Sequence, residues 1–177
     1  MTGGYDVVVL AGGRSTRYGS DKLAVLLDQV LTGLPSEAGV VCVGMERPTL
    51  RAEVRWAREE PPFSGPLNAV AAGVAHAAAQ TVVLVGGDMP RVGLAVPSLA
   101  RLAATSGRPV ALVDLTGTVQ PLASAWPHDV LVAALDALRP LEDRPVRLLL
   151  TALSEPVRQL ADEWGAADDV DFPSDLG

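Results

Sequence analysis

Short runs of consecutive apolar residues, rich in valine, recur along the chain and limit what it can fold into. The clearest are VVVL at 7–10, VVCV at 40–43 and VVLV at 82–85. Strands that are hydrophobic at every position are typical of parallel sheets, which are buried on both faces. Between these runs, apolar residues recur at spacings of three and four, which is the pattern of an amphipathic helix. The alternation predicts an α/β fold with a mostly parallel sheet covered by helices on both faces.

The same patterns divide the chain into alternating elements. Strands are predicted over 5–10, 39–43, 54–57, 81–86, 109–114 and 120–125. Helices are predicted over 23–34, 65–80, 97–105, 129–138 and 144–153. Because no linker long enough to divide the chain interrupts this alternation, residues 1–177 are expected to form a single domain.

Charge and composition argue against several classes of protein. The net charge of −7 disfavours nucleic-acid binding, because neutralising phosphates needs a basic surface. No apolar run reaches the roughly 18 residues of a membrane span, and the first residues lack the basic-then-apolar pattern of a secretion signal. A cytoplasmic protein without a membrane partner is therefore expected. Cys42 lies in an apolar run, and we expect it to be a small buried residue.

Positive charge is concentrated where the first predicted strand ends. The stretch LAGGRSTRYGSDK at 10–22 combines glycines with Arg14, Arg17 and Lys22. Glycines let backbone N–H groups approach an anion closely, and guanidinium and ammonium groups neutralise phosphate oxygens. The spacing matches neither the G-x-G-x-x-G motif nor the P-loop. It indicates a phosphate-binding turn, the alternative being a glycine turn with solvated charges.

A carboxylate follows the most apolar strand. Asp88 comes directly after the predicted strand 81–86, in the sequence GGDMP. A carboxylate at the end of a buried strand is costly unless it has a partner. Magnesium is a suitable partner, since it favours one or two carboxylates together with substrate phosphates. The alternative is that Asp88 caps the following turn.

Further carboxylates crowd the C-terminal end of the sequence. Asp168, Asp169 and Asp171 lie within four residues, and Val170 and Phe172 alternate with the last two. Alternation is typical of a short strand that points carboxylates one way. The alternative is a solvated acidic tail.

These residues, taken in order, resemble a known family. LAGG at 10–13, followed by Arg14, Arg17 and Lys22, resembles the signature of nucleotidyltransferases related to molybdenum cofactor guanylyltransferase. Weaker motifs follow in the family's order: GPL at 65–67, GDMP at 87–90, QPL at 120–122, R-x-x-R at 144–147 and D-x-D at 169–171. The resemblance spans nearly the whole chain.

The resemblance implies a three-layer α/β/α, Rossmann-like fold and an enzyme that moves GMP from GTP onto the terminal phosphate of molybdopterin, releasing pyrophosphate. It also implies roles for individual residues. Arg17, Lys22 and Asp88 would be catalytic, with magnesium held by Asp88 and by Asp169 or Asp171. The nucleotide would be bound by Leu10, Ala11, Gly12, Gly13, Arg14, Lys22, Glu60, Gly65 and Asp88. Arg144 and Arg147 would meet the phosphate of the acceptor.

Some positions depart from the family pattern and leave alternatives open. Glu60 stands where an aspartate is usual, Asn68 stands where alanine usually continues the GPL motif, and the stretch after Lys22 is several residues shorter than in relatives. A nucleotidyltransferase that uses CTP, or that acts on a sugar or small-acid phosphate, is one alternative. An inactive nucleotide-binding homologue is another, although the presence of both Lys22 and Asp88 speaks against it.

Overall fold

The structure, a computed structural model, describes residues 4–12 and 20–169. Within these residues the strands are β1 Tyr5–Leu10, β2 Gly39–Val43, β3 Val54–Ala57, β4 Thr81–Gly86, β5 Val110–Val113, β6 Val119–Pro127 and β7 Arg158–Ala161. The helices are α1 Ser20–Gly33, α2 Pro66–Val74, α3 Val96–Ser106, α4 His128–Ala137 and α5 Leu148–Thr151.

The strands form one sheet in the order β3-β2-β1-β4-β6-β5-β7. Every neighbouring pair is parallel except the two that involve β6, which runs antiparallel to β4 and β5. Residues of α1 and α3 share a buried cluster with one face of the sheet, and residues of α2, α4 and α5 share a second cluster with the other face. The expected three-layer α/β/α fold with a mostly parallel sheet is confirmed.

The valine runs are continuous because both faces of the central strands are buried. Along β1, Val7 and Val9 belong to the α1 and α3 side, whereas Val8 belongs to the α2 side. Helix α2 lies especially close to the sheet, since a Cβ added at Gly73 would come within 2.4 Å of the Val8 side chain. The small residues of α2 are therefore what permits this close packing.

Most predicted elements are present, but one helix ends early. The helix expected over 65–80 stops at Val74. The buried carboxylate of Asp6 accepts hydrogen bonds from the backbone N–H groups of Ala78 and Ala79, at 2.6 and 3.0 Å. Its other oxygen pairs with Arg55 at 2.7 Å. These contacts at the amino end of β1 fix residues 78 and 79 beside the sheet, beyond the end of the helix.

The C-terminal part differs more from the sequence prediction. The helix expected over 144–153 is a single turn, Leu148–Thr151, and β7 was not predicted. The four residues of β7, RQLA, are mostly exposed, so they lack the apolar run that marks the central strands. Edge strands are often short and polar for this reason.

The expected burial of Cys42 is confirmed. Cys42 is fully buried in β2, and this burial raises the pKa of its thiol to about 12. Among the described helices, none combines the length and hydrophobicity needed to span a bilayer.

Candidate active site

The order of strands changes direction at the centre of the sheet, and candidate residues lie there. Strand β1 is flanked by β2 on one side and by β4 on the other, so the connections leave in opposite directions. Ligands of open α/β sheets bind at such switch points, outside the carboxyl ends of the strands. Leu10 ends β1 and Asp88 follows β4 at this same edge.

A backbone contact joins these two strand ends. The N–H of Gly87 donates a 3.0 Å hydrogen bond to the carbonyl of Leu10. A Cβ at Gly87 would lie 2.8 Å from that carbonyl oxygen and 3.2 Å from the Cα of Ala11, so the approach requires glycine. The predicted nucleotide segment and the predicted magnesium turn are thus brought together.

An open cleft of about 440 Å³ adjoins this edge. The ends of β1 and β2 form its floor, and the start of α2 and two loops form its walls. It is lined by Leu10, Gly12, Val43, Glu59, Phe63, Gly65, Pro66, Ala69 and Asp143. Three of the residues predicted to bind nucleotide, Leu10, Gly12 and Gly65, therefore share one cavity.

Of the two adjacent glutamates Glu59 and Glu60, it is Glu59 that lines the cleft, and not Glu60 as the family resemblance implies. Glu59 also accepts a 3.0 Å hydrogen bond from the backbone N–H of Phe63 through Oε1. Glu60 is exposed, and its carbonyl accepts a 3.1 Å hydrogen bond from the side-chain amide of Asn68. Two adjacent glutamates cannot be told apart by sequence, since the path of the loop decides which one faces the cavity.

Two lining residues have unfavourable backbone conformations. Phe63 has φ 61° and Asp143 has φ 56°, and the only other non-glycine residue with positive φ in the described part of the chain is Glu53. Such conformations cost energy and cluster at functional sites. The Phe63 ring is about half exposed, and the Arg58 guanidinium lies 5.6 Å from its centroid. The loop wall is therefore strained as well as acidic.

The start of α2 is clamped to the segment that carries Asp143. The N–H of Asp143 donates to the Ser64 carbonyl at 2.7 Å, and the N–H of Leu67 donates to the Arg144 carbonyl at 3.2 Å. Gly65 has φ 98°, and a Cβ there would lie 3.0 Å from the backbone of Asp143. Sequence reasoning missed Asp143, and the only nearby signal was the R-x-x-R motif that begins at the next residue.

The two arginines of that motif lie in different environments. The Arg144 guanidinium donates hydrogen bonds to the backbone carbonyls of Leu138 and Pro140, so it braces the segment that forms the cleft wall. Arg147 is exposed at the start of α5. Binding of the acceptor by these two arginines stays a prediction.

Asp88 is partly buried in the turn after β4, whose six residues are all buried. A Cβ added at Gly86 would lie 2.7 Å from its Oδ1, so the absence of a side chain at Gly86 leaves room for the carboxylate. A carboxylate at this depth offers the hard oxygen ligand that magnesium prefers. The residue fits a magnesium site in chemistry and position.

The acidic segment near the C-terminus is tied to the same turn. Asp168 pairs with Arg91, three residues after Asp88, at 2.7 Å. Asp169 is exposed, and Asp171 lies outside the described residues. Over 4–12 and 20–169, no group of three or more His, Cys, Asp or Glu side chains is arranged to hold a metal ion. Metal binding by Asp88 and Asp169 stays a prediction.

Most of the predicted phosphate-binding residues cannot be placed. Gly13, Arg14 and Arg17 lie outside the described residues, as does the side chain of Lys22. The backbone of Lys22 belongs to the first turn of α1. Since α1 follows β1, its N-terminus lies at the carboxyl edge of the sheet, where a helix dipole favours anions.

A mostly parallel sheet covered by helices on both faces, with a cleft at its switch point, is the architecture of nucleotide-binding α/β folds. The model of the MobA-like NTP transferase domain matches residues 7–157. The chain belongs to this family. None of the curated proteins matches it.

Solved structures share the fold at low sequence identity. The 2-C-methyl-D-erythritol 4-phosphate cytidylyltransferase of Thermus thermophilus is 19% identical, with a TM-score of 0.72 over 98% of this chain and 95% of that one. The molybdopterin-guanine dinucleotide biosynthesis protein A of Archaeoglobus fulgidus is 21% identical, with a TM-score of 0.70 over 97% of this chain and 94% of that one. At these identities the likeness concerns the fold.

Proposed function

We propose that this protein is a cytoplasmic, single-domain enzyme that transfers GMP from GTP onto the terminal phosphate of molybdopterin or its molybdenum-loaded form. The observation that carries the proposal is the hydrogen bond between Gly87 and Leu10. It joins the end of β4, where Asp88 lies, to the floor of a cleft large enough for a nucleoside. A nucleoside in the cleft then has its phosphates directed toward the Asp88 turn.

In the proposed reaction, an oxygen of the acceptor's terminal phosphate attacks the α-phosphorus of GTP. A new P–O bond forms, and the bond between the α-phosphorus and the bridging oxygen breaks, so pyrophosphate leaves with that electron pair. Such transfers depend on positioning and charge neutralisation rather than covalent help from the protein. Magnesium, when bound, would neutralise charge on the phosphates.

The residues of this chain divide that work. Backbone groups of Leu10 and Gly12 hold the nucleoside, and Asp88 holds magnesium. Arg14, Arg17 and Lys22 neutralise the triphosphate. Arg147, which is exposed at the start of α5, meets the acceptor's phosphate.

The preference for guanine follows from the acidic wall. The Watson–Crick edge of guanine donates two adjacent N–H groups, which a carboxylate accepts well. Glu59 and Asp143 both line the cleft, and Glu59 uses only Oε1 for the Phe63 amide. We assign guanine recognition to Glu59. Cytosine presents only one amino group at this edge. Transfer of CMP from CTP, by analogy with the cytidylyltransferase of the same fold, is the competing assignment.

Thermal unfolding with magnesium and each nucleoside triphosphate tests the nucleotide assignment. A ligand at 100 times its Kd adds about 2.7 kcal/mol to the free energy of unfolding. We expect GTP to stabilise the wild type most, and Glu59→Gln to lose that stabilisation. Glu142→Gln, an exposed change beside Asp143, serves as the control. Stabilisation by CTP alone would replace the guanine assignment, and no stabilisation by any triphosphate would contradict nucleotide binding in the cleft.

A further inference from the structure

Arg91 links two segments that are far apart in sequence. Its Nη2 atom lies 2.7 Å from Oδ2 of Asp168, 77 residues further along the chain. Arg91 stands three residues after Asp88, in the turn that leaves β4, and Asp168 precedes Asp169. The ion pair therefore connects the two carboxylates assigned to magnesium through their near neighbours.

The segment that carries Asp168 is built to reach this turn. It starts at Asp162, a buried residue whose N–H donates to the carbonyl of Val113 at 3.0 Å. The carboxylate of Asp162 accepts hydrogen bonds from the backbone N–H groups of Ala166 and Ala167, at 2.9 and 2.8 Å. Ala166 and Ala167 are buried in the same cluster as Met89 and Val92. The segment is thus anchored on β5 at one end and on the turn after β4 at the other.

Gly165 shows how closely the ion pair and the segment fit. It has φ 61°, and a Cβ added there would lie 2.8 Å from both Arg91 Nη2 and Asp168 Oδ2. Glycine is therefore needed both for the backbone conformation and for the space that the pair occupies.

The ion pair contributes little to global stability. Its two side chains are 56% and 63% exposed, and pairs as exposed as this one add little to the free energy of unfolding. Its effect is local, because it joins Asp168, the residue before Asp169, to the turn after β4.

We propose that Arg91 is a positioning residue for the divalent-metal site, holding Asp169 beside Asp88 through its pair with Asp168. The proposal rests on the function proposed above, which assigns magnesium to these carboxylates. In this role Arg91 acts through Asp168 and is not itself a metal ligand. Groups that orient metal ligands in this way affect metal affinity strongly when removed.

Binding of Mn²⁺ alone, followed by electron paramagnetic resonance of the free ion, tests this without any turnover. We expect Arg91→Met to bind Mn²⁺ about tenfold more weakly than the wild type. Arg91→Lys, which keeps the charge but only a single ammonium donor, should lie between the two. The matched control is Arg108→Met, which removes a comparably exposed pair with Glu155, at 44% and 68% exposure. We expect it to bind Mn²⁺ as the wild type does.

A second pair of variants tests geometry without changing charge. Gly165→Ala displaces the ion pair, and we expect it to weaken Mn²⁺ binding as Arg91→Met does. Gly107→Ala has the same backbone strain, with φ 63° and no atom within 4 Å of the added Cβ, so its binding should be unchanged. If Gly165→Ala does not fold, the Mn²⁺ affinity of Arg91→Met alone tests the proposal.

The outcomes separate this proposal from the function on which it rests. If the wild type binds Mn²⁺ and Arg91→Met binds it with the same Kd, only the positioning role of Arg91 is overturned. A wild type that binds no Mn²⁺ overturns both the metal assignment and this proposal.

Discussion

The backbone N–H of Gly87 donates a 3.0 Å hydrogen bond to the carbonyl of Leu10, and this contact holds the turn of Asp88 against the floor of the cleft. The two strand ends meet here because Gly87 carries no side chain into the gap. The proposed chemistry depends on this closeness, since the phosphates have to extend from the cleft to the turn.

Replacing Gly87 by alanine should separate the two strand ends. The added Cβ would lie 2.8 Å from the Leu10 oxygen, and such overpacking costs about 1–3 kcal/mol of unfolding free energy. We expect stability to fall by this amount in urea unfolding and GTP binding to be lost in calorimetry at a temperature where the variant is folded. Gly4→Ala, with nothing within 4 Å of the added Cβ, should change neither. Unaltered GTP affinity in Gly87→Ala would show that the contact does not organise the site.

Relieving the backbone strain at Asp143 should raise the free energy of unfolding but weaken GTP binding. Asp143 has φ 56°, and αL geometry costs an L-residue about 1–2 kcal/mol. We expect Asp143→Gly to raise the free energy of unfolding by roughly 0.5 kcal/mol, after the entropy of glycine is counted, while weakening GTP binding. Glu53 has φ 60° but does not line the cleft. Glu53→Gly should therefore have a higher free energy of unfolding than the wild type and an unchanged GTP affinity. An equal loss of GTP affinity in both variants would refute a specific role for Asp143.

The two arginines of the R-x-x-R motif should have separable effects. Arg144 donates to the carbonyls of Leu138 and Pro140, so Arg144→Met should loosen the cleft wall, lower the melting temperature and raise the KM for the nucleotide. Arg147→Met should leave the melting temperature unchanged and raise only the KM for the acceptor. Steady-state kinetics with each substrate varied in turn distinguishes these outcomes. The reverse assignment of the two KM effects would mean that Arg144, and not Arg147, meets the acceptor.

Burial of Cys42 should appear in the pH dependence of stability. The pKa of its thiol rises from 9.0 to about 12 because burial penalises the thiolate. The folded state therefore keeps a proton that the unfolded state loses above pH 9.0, and stability is lost as the pH rises from there toward the folded-state pKa. We expect the urea midpoint of the wild type to fall more steeply above that pH than the midpoint of Cys42→Ala. The thiol should also react with a disulfide reagent only after unfolding, and rapid reaction of the native protein would contradict its burial.

Much of the fold could be predicted from sequence because burial leaves a strong periodic signal. The bounds of β1, β2 and β4 match the valine-rich runs, since these strands are covered on both faces. Long-range polar contacts leave no such signal. Beyond the end of α2, the backbone N–H groups of Ala78 and Ala79 donate hydrogen bonds to the carboxylate of Asp6, which is 72 and 73 residues away in the sequence. No pattern in the sequence near residue 74 predicts these contacts.

The site was predictable in outline for a similar reason. Leu10, Gly12, Gly65 and Asp88 follow strand ends or begin a helix, so topology alone brings them to one edge. Glu59 and Asp143 lie on loops whose direction depends on contacts with Phe63 and Ser64. Which side chain of such a loop faces a cavity is decided by folding rather than by local pattern.

Release of pyrophosphate from GTP, measured with magnesium and with or without molybdopterin, tests the transfer reaction most directly. We predict release only when GTP and molybdopterin are both present, and its loss in Asp88→Asn, with circular dichroism and melting temperature unchanged. Asp136→Asn, an exposed change on α4, should retain full turnover. Equal turnover in Asp88→Asn, or no release from any nucleoside triphosphate with molybdopterin or with a panel of sugar phosphates, would contradict the account.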